Sequence, residues 1–127
     1  MTDAPGGPSG GGVSYLHLVP EPVWLGHDGD TYLPEAFARE GFIHCTIGDG
    51  EVVAAANRFY TDDPRPFLVL TLDPAKLTSP VRIEDPRSVF PHIFGPLNVD
   101  AVTATRRLER DASGTFLGIA AAEVPTP

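Results

Sequence analysis

Cysteine, long apolar runs and basic residues are all scarce in this sequence. The single cysteine, Cys45, permits no internal disulfide, so the fold needs no oxidising compartment and we expect a cytoplasmic location. No apolar run approaches the length that spans a bilayer, so we expect no membrane partner. Nine Lys and Arg against 17 Asp and Glu give a net charge of −8. This balance disfavours binding of long nucleic acids, which are held by neutralising their phosphates.

Length and composition predict a single globular domain. A chain of 127 residues with 42% apolar and 20% charged residues is too short for two comfortable cores. Residues 1–12, rich in Gly and Pro, have neither the basic start nor the apolar centre of a secretory signal, and we expect a disordered arm there. We place the domain at residues 13–122 and a flexible tail at residues 123–127.

The hexapeptide Gly41 to Thr46 places a titratable imidazole inside an apolar, strand-like run. The two-residue period of a strand sends Phe42, His44 and Thr46 to one face and Ile43 and Cys45 to the other. We therefore expect Ile43 and Cys45 in the core and His44 at the front of a sheet, facing a cleft. The alternative is a buried His44 whose ring is satisfied by a backbone carbonyl.

The remaining pattern predicts mixed helices and strands. We expect strands at 13–19, 67–72, 81–85 and 99–108, with 67–72 central and buried on both faces, and a weak edge strand at 115–122. Helical turns are expected at 21–25, 34–40 and 73–77, and the best helix runs from Asp49, which can cap it, to Tyr60. Pro91 indicates that the segment around His92 is an edge or irregular strand and not a central one.

Several polar positions leave two interpretations open. Asn57, in the middle of the long helix, either points to solvent or orients a ligand in a cleft. The arginines Arg106, Arg107 and Arg110 either form a solvated strand end or contact a phosphate.

His17, His44, Glu84 and His92 are the polar groups that the predicted strands present, and each can exchange a proton or hold a hydroxyl. A zinc site would need three or four such ligands, but paired metal-ligand spacings are absent, so we assign no metal. Cys45 should be buried and inert, which argues against a Cys–His nucleophile. The chain also lacks a Gly-rich phosphate loop between a strand and a helix.

Five segments, in this order, resemble the domain of unknown function 952 family of small bacterial proteins: YLHLV at 15–19, GFIHCT at 41–46, NRFY at 57–60, the strand end LD at 72–73, and FPHIFGPL at 90–97. The resemblance spans about residues 13–108. It implies an α+β, ADP-ribosyltransferase-like fold, with a split mixed or antiparallel sheet, short helices and a cleft that holds NAD in active relatives.

The resemblance also implies roles for individual residues. His17 is similar to the residue that holds the nicotinamide ribose in related transferases, and His44 and Thr46 are similar to the polar strand segment that lines the cleft. Glu84 is the candidate for the late carboxylate that supports an oxocarbenium-like transition state in active transferases, although their Glu-x-Glu or Gln-x-Glu motif is absent here. The candidate catalytic residues are therefore His44, Glu84 and His92. The candidate cofactor-binding residues are His17, Tyr32, Thr46 and Asn57.

The sequence leaves three functions open. The first is a histidine-lined cleft that binds a nucleotide-like or other small molecule without established catalysis. The second is an enzyme similar to an NAD-dependent ADP-ribosyl or RNA 2′-phosphate transferase, with NAD as the candidate cofactor. The third is a non-catalytic interaction module whose histidines are structural.

Overall fold

The computed structural model describes residues 13–125 and shows a chain of alternating strands and short helices. The strands are β1 (Tyr15–Pro20), β2 (Thr31–Tyr32), β3 (Ile43–His44), β4 (Phe67–Leu72), β5 (Val81–Ile83), β6 (Pro91–Ile93), β7 (Leu97–Asn98), β8 (Val102–Arg110) and β9 (Phe116–Glu123). The helices are α1 (Glu21–Leu25), α2 (Phe37–Glu40) and α3 (Asp49–Phe59), with 3-10 turns at Pro74–Lys76 and Val99–Ala101. The protein is thus a single α+β domain.

A four-stranded antiparallel sheet in the order β1-β4-β8-β9 forms the larger half of the fold. β4 is one of its two central strands and is almost wholly buried, as its apolar sequence predicts. Its alternate side chains enter two different clusters, with Leu68 and Leu70 on one face and Phe67 and Val69 on the other. One strand therefore supplies both halves of the core.

A three-stranded sheet in the order β3-β6-β5 and the two-stranded pair β2-β7 form the other half. The strand pairings within residues 13–125 are all antiparallel. A β-bridge between Leu16 and Thr46 joins the four-stranded sheet to the segment after β3, with both N–H···O distances at 2.8 Å. The bridge fixes His44 and its neighbours against β1.

The core lies on both faces of the larger sheet. The first cluster includes Trp24, Tyr32, Ile43, Cys45 and Ile93, and ties the smaller sheet to the larger one. The second cluster packs α3 onto the opposite face, against residues of β1, β4, β8 and β9. Ile43 is fully buried and Cys45 nearly so, whereas His44 is exposed, which agrees with the strand-parity prediction.

Four local predictions differ from the structure. Asp49 does not cap α3, because Gly48 occupies the N-cap and the Asp49 carboxylate pairs with Arg106 at 3.0 Å. The helical spacing of Phe59 with Val52 and Ala56 predicts that Phe59 packs on the sheet. It is instead 67% exposed, because the buried stripe of α3 ends at Ala56. Glu84 follows β5 and is not part of it.

The fourth difference concerns β6, which is the central strand of its sheet although it contains Pro91. The strand tolerates the proline because it stands at the first position, where a missing N–H interrupts little of the ladder. The Pro91 carbonyl still accepts the Cys45 N–H at 2.9 Å.

The end of the domain also lies later than predicted. β9 continues to Glu123, and the Val124 N–H donates to the Thr105 carbonyl at 2.6 Å. The predicted arm at residues 1–12 and the last two residues of the predicted tail lie outside the described residues. None of the helices between residues 13 and 125 is long and apolar enough to cross a membrane.

Candidate functional site

A pocket of about 740 Å³ opens between the four-stranded sheet, the three-stranded sheet and the short helices. Its lining comes from β1, the segment around α2, the residues after β3, the end of α3, the turn before β4, and the segment from Glu84 to His92. Six of the seven candidate site residues contribute to this lining: His17, Tyr32, Thr46, His44, Glu84 and His92.

His17 and Tyr32 form a buried polar pair in the pocket wall. The His17 Nδ1 lies 2.6 Å from the backbone oxygen of His44, and its Nε2 lies 2.9 Å from the Tyr32 hydroxyl. Because a carbonyl can only accept, Nδ1 carries the proton. Burial lowers the pKa of His17 to about 4, so the ring is neutral at neutral pH and Nε2 accepts the Tyr32 hydroxyl proton.

The same burial raises the pKa of the Tyr32 phenol well above its ordinary value, so its hydroxyl stays protonated. Its proton is used by His17, and the hydroxyl oxygen keeps lone pairs that can accept from a ligand. This buried pair therefore offers the pocket a fixed acceptor.

His44 stands at the mouth of the pocket. Its side chain is 55% exposed, and its Nε2 lies 3.1 Å from the Glu40 carboxylate. Gly41 places the two side chains together, because its left-handed φ of 83° ends α2 immediately after Glu40 and turns the chain into β3. The alternative of a buried His44 hydrogen-bonded to a backbone carbonyl is therefore wrong. That description fits His17, whose ring donates to the backbone carbonyl of His44.

His92 lies directly opposite His44 in the β3-β6 register, with ring centroids 5.2 Å apart. Its ring stacks on Phe42 at 4.2 Å with an interplanar angle of 11°. Burial, followed by the nearby His44, lowers the pKa of His92, while the carboxylates of Glu84, Asp85 and Glu40 act in the opposite direction. A neutral imidazole at the pocket mouth can accept a proton from a bound group.

Thr46 and Cys45 complete this wall. Thr46 is buried and is held by its two backbone bonds to Leu16. Burial raises the pKa of the Cys45 thiol, which keeps it protonated and a poor nucleophile. Within residues 13–125, no group of three or more His, Cys, Asp or Glu side chains is arranged to hold a metal ion.

Asn57 does not face the pocket, and its assignment as a ligand-binding residue is not supported by its position. Its amide donates to the Phe116 carbonyl at 2.9 Å and accepts the Phe116 N–H at 2.8 Å. Both polar ends are thus used in fastening α3 to β9. The residue is neither a solvent-facing nor a cleft-facing asparagine.

The late arginines are also structural. Arg110 donates to the carbonyls of Asp63, Arg65, Thr61 and Gly114. Its guanidinium also lies 4.2 Å from the centroid of the Phe116 ring. Arg106 pairs with Asp49, and Arg107 pairs with Glu21.

Sequence reasoning missed several charged residues in the pocket lining. Arg58 follows Asn57 directly and faces the pocket from the last turn of α3. Arg65 enters from the turn before β4 and forms a two-pronged pair with Glu35, at 3.0 and 3.2 Å. The contact between Glu40 and His44 could have been predicted from the sequence. A carboxylate four residues before a histidine often contacts it across one helical turn.

The fold and the pocket define a small α+β protein with antiparallel sheets and three histidines around one pocket. The family model described as "Protein of unknown function (DUF952)" matches residues 18–105, and the chain belongs to this family. The resemblance found in the sequence motifs is therefore confirmed at the level of the family. No curated protein shows significant similarity to the chain.

Two solved structures have a similar fold. The crystal structure of protein CC0527 from Caulobacter crescentus, a structural genomics target, matches with a TM-score of 0.69 and 21% identity, over 82% of this chain and 93% of that chain. A double-mutant form of CC0527 matches with a TM-score of 0.66 and 19% identity over the same shares. At this identity the likeness concerns the fold alone.

Proposed function

We propose that the pocket binds a nucleotide-like small molecule, with NAD as the first ligand to test. The observation that carries this proposal is the convergence of His17, His44 and His92 on one pocket of about 740 Å³. Small-molecule sites are commonly concave and mostly apolar, with a few fixed polar groups. The His17–Tyr32 pair supplies polar groups in the buried wall of the pocket, and the exposed His44 supplies one at its mouth.

The pocket also contains a cation suited to a phosphate. Arg58 lines the pocket, is exposed, and makes no ion pair with another described residue. A guanidinium donates to phosphate oxygens in a planar fork, which makes arginine a frequent phosphate ligand. A nucleotide would thus find hydroxyl partners at the His17–Tyr32 pair and a phosphate partner at Arg58.

The ADP-ribosyltransferase-like fold belongs to the same proposal. Its support is the division of the strands into a four-stranded and a three-stranded antiparallel sheet, with His17 on β1 beside the gap between them. The resemblance implies that the gap holds NAD in active relatives with that fold, which is why NAD is the first ligand to test.

The first test is a thermal-shift screen of NAD, ADP-ribose and AMP on the wild type. A ligand at about one hundred times its dissociation constant stabilises the folded state by about 2.7 kcal/mol, which raises the melting temperature by several degrees. We expect His44→Ala to reduce this rise. His27→Ala is the matched control, because His27 does not line the pocket and stacks on Trp24. A wild type that none of the three nucleotides stabilises contradicts the proposal.

An NAD-dependent transferase is the second candidate, and Glu84 favours it. This carboxylate lines the pocket together with His44 and His92. A fixed negative charge there would stabilise a developing oxocarbenium ion. If this candidate is correct, incubation with NAD releases nicotinamide while water, as the acceptor, takes the ADP-ribosyl group. Glu84→Gln should lower the rate of this release by about 100-fold or more, whereas Glu109→Gln, an exposed change outside the pocket, should not lower it. Binding without nicotinamide release leaves a binding protein, and the absence of both leaves an interaction module.

A further inference from the structure

The front of the three-stranded sheet carries a row of rings at the mouth of the pocket. His44, His92 and Arg82 are register partners across β3, β6 and β5, so their side chains leave the sheet on one side. Phe42 and Phe94 lie two residues from His44 and His92 and share that side. We call these five residues the ring face. On the opposite side, Ile43 and Ile93 are fully buried, whereas Ile83 of β5 is 39% exposed.

The rings of this face are packed against one another and remain partly open to solvent. Phe42 is the hub: the centroid of His92 lies 4.2 Å away in a parallel stack, that of His44 lies 4.8 Å away edge-on, and that of Phe94 lies 5.5 Å away. His44 and His92 also line the pocket, so the ring face continues the pocket wall outwards. A planar group held in the pocket mouth would meet ring surface there.

The ring face already holds one planar cation, which belongs to the chain itself. The guanidinium of Arg82 lies over the Phe94 ring, 5.1 Å from its centroid. The face of an aromatic ring carries negative potential and attracts a cation placed over it. The contact between Arg82 and Phe94 therefore shows that a ring of this face can bind a planar cation.

Carboxylates surround the ring face on two sides. Glu40 contacts the His44 ring at 3.1 Å, and Glu84 and Asp85 follow β5 directly. All three lie close enough to His92 to act on its charge. The local field thus favours a positive group over a negative one, in line with the net charge of −8 for the whole chain.

We propose that the ring face is a binding subsite for a planar, positively charged heteroaromatic ring. Ring stacking selects a flat group, and the carboxylates select a positive one. The inference rests on the proposed function in that the subsite forms the mouth of the same pocket. It adds the chemical class of the group that is bound there.

Three probes separate shape from charge in an NMR titration that follows the imidazole signals of His44 and His92. They are N-methylpyridinium, pyridine at a pH where it is uncharged, and tetramethylammonium, which is positive but not planar. We expect N-methylpyridinium to bind about tenfold more tightly than either of the other two. Equal affinity for N-methylpyridinium and pyridine, or for N-methylpyridinium and tetramethylammonium, overturns the proposal.

Two substitutions test the location with the same probe. Phe42→Leu keeps an apolar side chain but removes the central ring, and we expect it to weaken N-methylpyridinium binding about tenfold. Leu117→Ala is the control, since Leu117 is an exposed apolar residue that does not line the pocket, and it should leave the affinity unchanged. A Phe42→Leu affinity equal to that of the wild type overturns the assignment.

Arg82→Gln provides a variant whose folding is not in question, because Arg82 is exposed. Removing the internal cation frees the Phe94 ring and lifts a like charge from the subsite, so N-methylpyridinium should bind several-fold more tightly. Weaker binding to this variant overturns the proposal.

The outcomes also separate this inference from the proposed function. A protein that NAD or AMP stabilises but that shows no preference for N-methylpyridinium keeps its nucleotide pocket and loses the ring-face subsite. A protein that prefers N-methylpyridinium but that no nucleotide stabilises keeps the subsite and loses the nucleotide proposal.

Discussion

His17 and His44 have the same side chain but opposite surroundings. The two residues are in contact, because the His17 ring donates a hydrogen bond to the backbone oxygen of His44. His17 is buried and has a partner on each ring nitrogen, whereas His44 is mostly exposed and has Glu40 as its ring partner. The structural contribution of His44 comes chiefly from its backbone oxygen. Substitution of the two residues should therefore separate stability from ligand binding.

His17→Ala should lower the free energy of unfolding by about 2–4 kcal/mol, because it leaves a cavity and an unpaired Tyr32 hydroxyl. His44→Ala should cost less than about 1 kcal/mol, because solvent replaces the exposed ring and the backbone oxygen remains. Urea unfolding of the two variants and the wild type measures both values. A loss of several kcal/mol in His44→Ala would mean that its ring supports the fold.

The lowered pKa of His17 predicts a pH dependence of stability. The unfolded chain takes up a proton near the ordinary pKa of 6.5, whereas the folded protein resists it down to about 4. Between these values the unfolded state binds more protons, so the free energy of unfolding falls as the pH is lowered. One pKa unit corresponds to about 1.4 kcal/mol, which gives a loss on the order of 3 kcal/mol.

Unfolding curves recorded at several pH values across this window measure the slope. His17→Gln should flatten it, and Tyr32→Phe, which leaves the buried imidazole in place, should retain most of it. His92, whose pKa is also lowered, contributes in the same direction and is present in both variants. An unchanged slope in His17→Gln would assign the effect to other groups.

At the scale of elements, one polar side chain adds to the apolar packing that attaches α3 to β9. Asn57 exchanges two hydrogen bonds with the backbone of Phe116 and reproduces a strand-like pairing between a helix and an edge strand. The attachment holds Phe116 in the second cluster, next to Val52 and Ala56 of α3.

Asn57→Ala should lower the free energy of unfolding by about 1–3 kcal/mol, because it leaves the Phe116 N–H and carbonyl without their partner. Asn57→Asp keeps the acceptor for the N–H and loses the donor for the carbonyl, so it should fall between the wild type and the alanine variant. Denaturant unfolding ranks the three, and amide exchange at Phe116 reports the local effect. Equal stability of Asn57→Ala and the wild type would contradict this role.

Elements were more predictable from the sequence than the site was. The apolar run of β4 and the alternation around His44 depend on local periodicity, and both are found in the structure. The partners of Asn57 and Arg110 lie 45 or more residues away for most of their bonds, and periodicity carries no information on such contacts. The edge prediction for β6 failed because the effect of Pro91 depends on its position within a three-residue strand.

At the scale of the whole molecule, β4 makes the two clusters one cooperative unit. Its side chains alternate between them, so neither cluster can lose its packing without disturbing the same strand. Leu70 belongs to the first cluster and Phe67 to the second, and both are buried.

Leu70→Ala should cost about 2–5 kcal/mol and Phe67→Ala about 3–5 kcal/mol. Each variant should still unfold in one transition, seen at the same denaturant concentration by far-ultraviolet circular dichroism and by the methyl NMR signal of Ile43 in the first cluster. If Phe67→Ala shifted the circular dichroism transition and left the Ile43 transition in place, the clusters would be independent.

The chain has one tryptophan, Trp24, and its position allows ligand binding to be followed by intrinsic fluorescence. Trp24 is buried one ring behind the pocket: its centroid lies 5.5 Å from that of Tyr32, which lines the pocket, and 4.6 Å from that of His27, on which it stacks. Because the indole is shielded from solvent, its fluorescence emission maximum should lie at a short wavelength. A ligand that draws on the Tyr32 hydroxyl changes the immediate surroundings of that indole. Occupancy of the pocket can then be followed by emission from unlabelled protein.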